Sequence, residues 1–155
     1  MEASIRDRRT RIRHTSAMII STLALACASC APLPAPEPLN QPCTVTDGDT
    51  IRCGDERIRL LAIDAPEMGG RCRKGRQCVA GSPLASKANL EQAIENSPLW
   101  IIRLEKDRYG RTLADVRAGA ISLSCHQITT GHAIYVARWD NRRAIASTCA
   151  AAIGQ

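Results

Sequence analysis

The chain has 155 residues, of which 45% are apolar and 23% charged, and a formal net charge of +6. At that length the chain reads as one domain plus extras, long enough for a real core. Five arginines fall within the first 13 positions; from residue 29 onward 16 basic residues face 13 acidic ones, a mild excess that permits a polyanionic partner without demanding one.

Residues 1–28 have the form of an export signal. Arg6, Arg8, Arg9, Arg11 and Arg13 precede an apolar run over 17–25, and the small residues Ala26, Cys27 and Ala28 follow. The run is short for a membrane span, so cleavage after Ala26 or Ala28 is expected, giving a periplasmic or extracellular protein. The alternatives are attachment through the signal as an anchor or lipid attachment at Cys27, although Ala24 stands where Leu is usual in a lipidation signal. Residues 29–42, with PLPAPEPLNQP over 32–42, read as a Pro-rich linker without core-forming content, and 43–155 as the folded domain.

Six cysteines remain after the signal region, an even number that agrees with export: Cys43, Cys53, Cys72, Cys78, Cys125 and Cys149. Cys43 and Cys53 flank the 47–50 turn symmetrically and suit a cross-strand pair. Cys72 and Cys78 bracket a short basic loop, and Cys125 with Cys149 would staple the C-terminal segment to an earlier helix. A zinc site is the competing reading, but no CxxC pairs with a second CxxC here, and His126 and His132 read as surface or packing residues.

Strand-like runs cover 43–53 and 57–63, joined through the acidic turn Asp47-Gly48-Asp49-Thr50 and closed by Asp64-Ala65-Pro66-Glu67. Antiparallel pairing would bring Asp49 and Asp64 to one sheet edge, where their oxygens suit a hard divalent cation. Taken singly, an Asp-Gly turn and an Asp-x-Pro-Glu strand exit are ordinary structural devices. Arg59 is different, because a charge within the apolar run 58–63 must point outward or meet a partner.

Arg71, Arg73, Lys74 and Arg76 make 68–81 a solvated basic loop. Ser82-Pro83 then opens a helix, with Leu84, Ala88, Leu90 and Ile94 as its apolar stripe and 96–98 as its stop. Residues 99–104 form a core strand, 107–111 a hairpin connection and 112–117 the returning strand. A short helix over 124–130 ends at Gly131; its Gln127 falls where an apolar contact would be welcome, so the helix must rely on packing and on Cys125. Residues 141–153 read as an Ala-rich helix. The sum is α+β: a small barrel with helices on one side.

Three motifs in order, DGDT at 47–50, RLLAIDAPE at 59–67 and DRYGRTLA at 107–114, resemble the staphylococcal nuclease (thermonuclease) family over roughly 45–131. The resemblance implies an OB-fold, a five-stranded barrel with about three helices. It also implies a Ca2+-dependent endonuclease that acts on DNA and RNA and leaves 3′-phosphates. No stable protein partner is implied, and a monomer is expected. Carried over by residue, Asp49 and Asp64 hold Ca2+ with the Ala65 carbonyl, near Thr50; Arg59 and Arg111 clamp the phosphate; and Glu67 positions or deprotonates the attacking water. Arg108, where Lys is usual, and Tyr109 contact a terminal phosphate. The family's tyrosines beyond the last Gly are not reproduced in register. Tyr135 and Trp139 lie nearby, and Tyr135 either stacks on a base or belongs to the core.

These residue types match the chemistry. Phosphodiester hydrolysis needs a placed water, neutralisation of a non-bridging oxygen and stabilisation of the added negative charge. Carboxylate-held cations serve the second need and forked guanidinium groups the third. The rival reading is a catalytically silent oligonucleotide-binding module of the same fold, which has no use for a carboxylate beside the bound phosphate. A third, an envelope-associated protein working on another polyanion, would keep the basic loop without requiring Ca2+.

Overall fold

The computed structural model of the protein describes residues 32–70, 75 and 77–154. The expected export signal with Cys27, and the loop residues Arg71, Cys72, Arg73, Lys74 and Arg76, lie outside the described residues. In chain order the strands are β1 (Glu37–Pro38), β2 (Cys43–Asp47), β3 (Thr50–Cys53), β4 (Glu56–Leu60), β5 (Ile63–Asp64), β6 (Leu99–Lys106), β7 (Thr112–Ala118), β8 (Ile121–Ser122) and β9 (Ile134–Tyr135). The helices are α1 (Pro83–Ile94), α2 (Leu123–Thr129), α3 (Ala144–Thr148) and α4 (Ala150–Ile153).

The strands form a mixed sheet in the order β1-β6-β7-β4-β3-β2, with β8 against β7 and a separate β5-β9 pair. All ladders are antiparallel except β4 with β7. With the helices packed on it, this is the expected OB-like α+β arrangement. Ile51, Ile58, Leu60, Ile101, Ala114 and Val116 point inward from the strands, and Leu90 of α1 and Leu123 of α2 close over them. α1 begins as the sequence predicts: Ser82 Oγ accepts the Ala85 N–H at 3.2 Å and Pro83 takes the first helical position.

Four details depart from the sequence reading. The run 57–63 is not one strand: Ala62 adopts a left-handed conformation (φ 60°), so the chain leaves β7 after Leu60 and re-pairs with β9 at Ile63. A non-glycine residue held there costs about 1–3 kcal/mol, offset by the bond from the Val136 N–H to the Ala62 carbonyl at 2.8 Å. Leu84 is not part of the buried stripe and is 68% exposed, because α1 turns Ser86 and Leu90 inward instead. The C-terminal helix breaks at Cys149 into α3 and α4, giving four α-helices among the described residues where about three were expected.

The fourth departure concerns the Pro-rich segment, which is docked along the domain. β1 pairs with β6, the Leu39 N–H donates to the Leu99 carbonyl at 2.9 Å, and Glu37 meets Arg103 at 2.6 Å. Leu39 and Leu33 pack against the two apolar clusters. Proline suits such an edge, where no ladder donor is needed. Deleting residues 32–42 is expected to cost about 2 kcal/mol of buried apolar surface, seen as a fall of roughly 5–10 °C in melting temperature; calorimetry of the two forms measures it.

Disulfides join Cys43 to Cys53, which are directly opposed in the β2–β3 ladder, and Cys125 of α2 to Cys149 at the α3–α4 junction. Cys78 is disulfide-bonded too; its expected partner, Cys72, lies outside the described residues. Crosslinks of this kind persist in oxidising surroundings.

Candidate active site

Sheet register builds the site. Thr50 of β3 opposes Arg59 of β4, and the Leu60 N–H donates to the Asp49 carbonyl at 2.8 Å. The acidic turn and the end of β4 therefore meet side by side. Because β4 also runs parallel to β7, with Ile58 beside Thr112 and Arg59 beside Leu113, the 107–111 connection delivers Arg111 beside the start of β4, where it lines the same cleft as Asp49 and Arg59.

Arg59 bridges the two aspartates. Its Nη1 donates to Asp49 Oδ1 at 2.7 Å, and its Nη2 donates to the Ile63 carbonyl at 3.2 Å and lies 3.5 Å from Asp64 Oδ1. Asp49 also accepts the Thr50 hydroxyl at 2.9 Å and the Ala65 N–H at 3.3 Å. Both aspartates are only 5% exposed. Burial pushes the Asp49 carboxyl up to about 6; Arg59 opposes this and the nearby Asp47 adds to it. Burial, not a missing partner, is thus the dominant influence on this carboxylate. The guanidinium of Arg59 further lies over the Trp139 ring, 5.3 Å from its centroid.

The hairpin connection presents the second arginine. Asp107 accepts Arg111 Nε at 2.8 Å and the backbone N–H groups of Tyr109 and Arg111 at 2.9 Å each. Burial disfavours the charge on Asp107, but these bonds outweigh it and hold the carboxyl below its ordinary range. Gly110 (φ 76°) supplies the left-handed residue that the tight connection requires. Tyr109, 50% exposed, has Arg108 and Arg111 over its ring at 4.9 and 5.6 Å.

Asp49, Arg59, Glu67, Tyr109, Arg111 and Trp139 face a single cleft of about 850 Å³. A profile described as staphylococcal nuclease homologue matches residues 57–152. The chain belongs to the staphylococcal nuclease family. None of the curated proteins compared with it matches. This is a family of nucleases and nucleic-acid-binding modules. The matched span starts just after Asp49, so the place of that residue in the site rests on its contacts with Arg59 and Ala65.

Of the residues singled out in the sequence, Arg59 contacts both Asp49 and Asp64, and Ala65 reaches Asp49 through its N–H; Asp64 is not among the cleft's lining residues. Glu67, exposed at the rim, and Arg108, Tyr109 and Arg111 line the same cleft. Tyr135 stands apart: it is not among the cleft's lining residues and packs with the second apolar cluster. Its hydroxyl donates to Asp140 at 2.8 Å, and burial followed by that bond raises its pKa. Trp139 occupies the cleft instead. Arg57 and Arg138 line it as well, and sequence reasoning passed over both; the signal was Arg138 beside Trp139 and Arg57 two residues before Arg59 on the same strand face.

Among the described residues no three of His, Cys, Asp and Glu converge as a ready-made cation cage. What converges is a buried carboxylate pair whose counter-charge is Arg59, with Asp49 made hard to ionise by burial. Carboxylate oxygens are the donor type that suits a hard divalent cation.

Proposed function

We propose that the protein is an exported Ca2+-dependent nuclease that hydrolyses phosphodiester bonds in DNA and RNA and leaves 3′-phosphates. Residues 1–28 serve as its export signal, and the disulfides support an oxidising destination. The observation that carries the reading is the buried Asp49–Arg59–Asp64 constellation, of which Asp49 and Arg59 line a cleft shared with Glu67 and Arg111.

Asp49 and Asp64 hold the cation, which when bound neutralises a non-bridging phosphate oxygen and helps to orient water. Arg59 and Arg111 clamp the phosphate in their planar forks and stay charged as negative charge builds on it. Asp107 fixes Arg111 for this from behind. Glu67 accepts a proton from the attacking water; the new bond to phosphorus forms as the bond to the 5′-oxygen breaks, and the departing 5′-oxygen takes a proton from solvent, releasing a 5′-hydroxyl and a 3′-phosphate. Arg108 and Tyr109 bind a terminal phosphate at the hairpin tip.

The purified protein is expected to degrade single-stranded DNA with Ca2+ and to stop with chelator. Ca2+ is also expected to raise its melting temperature at pH 7.5, with the gain shrinking as pH falls through about 6. The sign follows from Asp49, whose folded pKa lies above the ordinary value of 3.8. Its contribution to stability is present at low pH and lost as pH rises through the folded value, and a cation recovers that loss only where the carboxylate is ionised. An oligonucleotide bound but left intact with Ca2+ would instead identify a silent binding module.

A further inference from the structure

Behind the acidic turn lies a polar side chain with no part in the chemistry above. Gln127 of α2 is completely buried. Its Nε2 donates to the Gly48 carbonyl at 2.6 Å and to the Ser86 carbonyl at 3.1 Å, with Ser86 Oγ at 3.3 Å. Its Oε1 accepts Asn89 Nδ2 at 2.6 Å. Ser86 Oγ donates in turn to the His132 carbonyl at 2.8 Å. A methyl group on Gly48 would collide with Ser86 Oγ, so the turn rests directly on α1.

An apolar side chain would pack this helix at least as well, since a buried amide gains little over water even when fully bonded. What glutamine adds is direction. The Gly48 carbonyl belongs to the planar peptide whose nitrogen is that of Asp49. Anchoring that oxygen fixes the plane from which the Asp49 side chain departs. The same turn is held from the other side by the Asp49 N–H on Asp47 Oδ1 at 3.2 Å and by the Leu60 N–H on the Asp49 carbonyl.

We propose that Gln127 is a positioning residue: through the Gly48 carbonyl it aims the Asp49 carboxylate at Arg59, at the Ala65 N–H and at the bound cation. The last of these rests on the nuclease reading; the first two do not. Outer partners of this kind commonly change metal affinity by 10–100-fold.

The test uses the full chain carrying Gln127→Met, beside Val116→Ala, a buried β7 substitution that lowers stability and removes none of the turn's hydrogen bonds. By calorimetric titration, Ca2+ affinity in Gln127→Met is expected to fall at least about tenfold, with kcat reduced and KM for a short oligonucleotide little changed. In the metal-free protein, hydrogen exchange at Ala65, whose N–H bonds Asp49, is expected to accelerate more than in Val116→Ala. Asn89→Ala, a half-exposed change that folds readily, is expected to shift both readouts the same way by a smaller factor. Equal Ca2+ affinity and equal Ala65 exchange in Gln127→Met and Val116→Ala would overturn the proposal; if Gln127→Met does not fold, wild-type values in Asn89→Ala overturn it. A wild-type protein that binds no Ca2+ counts against the nuclease reading alone, since Ala65 exchange still decides the role of Gln127.

Discussion

Arg59→Met is expected to destabilise the cation-free protein by about 3 kcal/mol at pH 7 and to reduce cleavage by about 10²–10³-fold. Methionine keeps much of the volume, so the loss is mainly electrostatic. Two aspartates that are 5% exposed would lose the guanidinium that bridges them. Asp49, already raised to about 6 by burial with Arg59 opposing the rise, would move further up. The sign is therefore defined: the penalty is largest above the folded pKa of Asp49 and shrinks as acid protonates that carboxylate. Denaturant titrations at pH 7 and pH 5, with and without Ca2+, measure it. Recovery of most of the lost stability by Ca2+ at pH 7 is the expected companion result. An unchanged midpoint at pH 7 would mean that the aspartates have other partners and that Arg59 is not their counter-charge.

Glu67→Gln is expected to lower kcat by about 10²–10⁴-fold while leaving Ca2+ affinity and oligonucleotide binding near wild type. Glu67 is exposed at the cleft rim, just past Pro66, so the change empties no core position. Amide and carboxylate have nearly the same shape, and only the capacity to take a proton from water is lost. Single-turnover cleavage beside equilibrium binding of a non-cleavable oligonucleotide separates the two effects. Wild-type turnover in this variant would remove Glu67 from the mechanism. A parallel loss of Ca2+ binding would make it part of the cation site instead.

The carboxylate–guanidinium cluster was legible because it is built from neighbouring segments. Asp49 sits in the turn before β3, Arg59 on β4 that pairs with β3, and Asp64 on the short β5 just beyond, so hairpin pairing joins the first two and closeness along the chain brings in the third. The Cys43–Cys53 disulfide followed from the same symmetry about the turn. Tyr135 and Trp139 could not be sorted this way. Which of them enters the cleft depends on how β9 pairs with β5, a contact between residues about 70 apart in sequence. That pairing directs Tyr135 to Asp140 and leaves Trp139 beside Arg59. The Pro-rich segment was misread for a related reason: nothing in its composition signals the free edge of β6 that it covers.

Taken alone, the sequence determined the family, the identities and spacing of the acidic and basic residues, and the local turns that carry them, because hairpins, caps and alternation act over a few residues. Only the tertiary structure decided that Ala62 breaks the strand, that Leu84 faces out and Ser86 in, and that Gln127 is a polar brace behind the acidic turn rather than a misplaced core residue. Burial and its polar compensation depend on which distant segments come to lie over a residue, and only the folded chain fixes that.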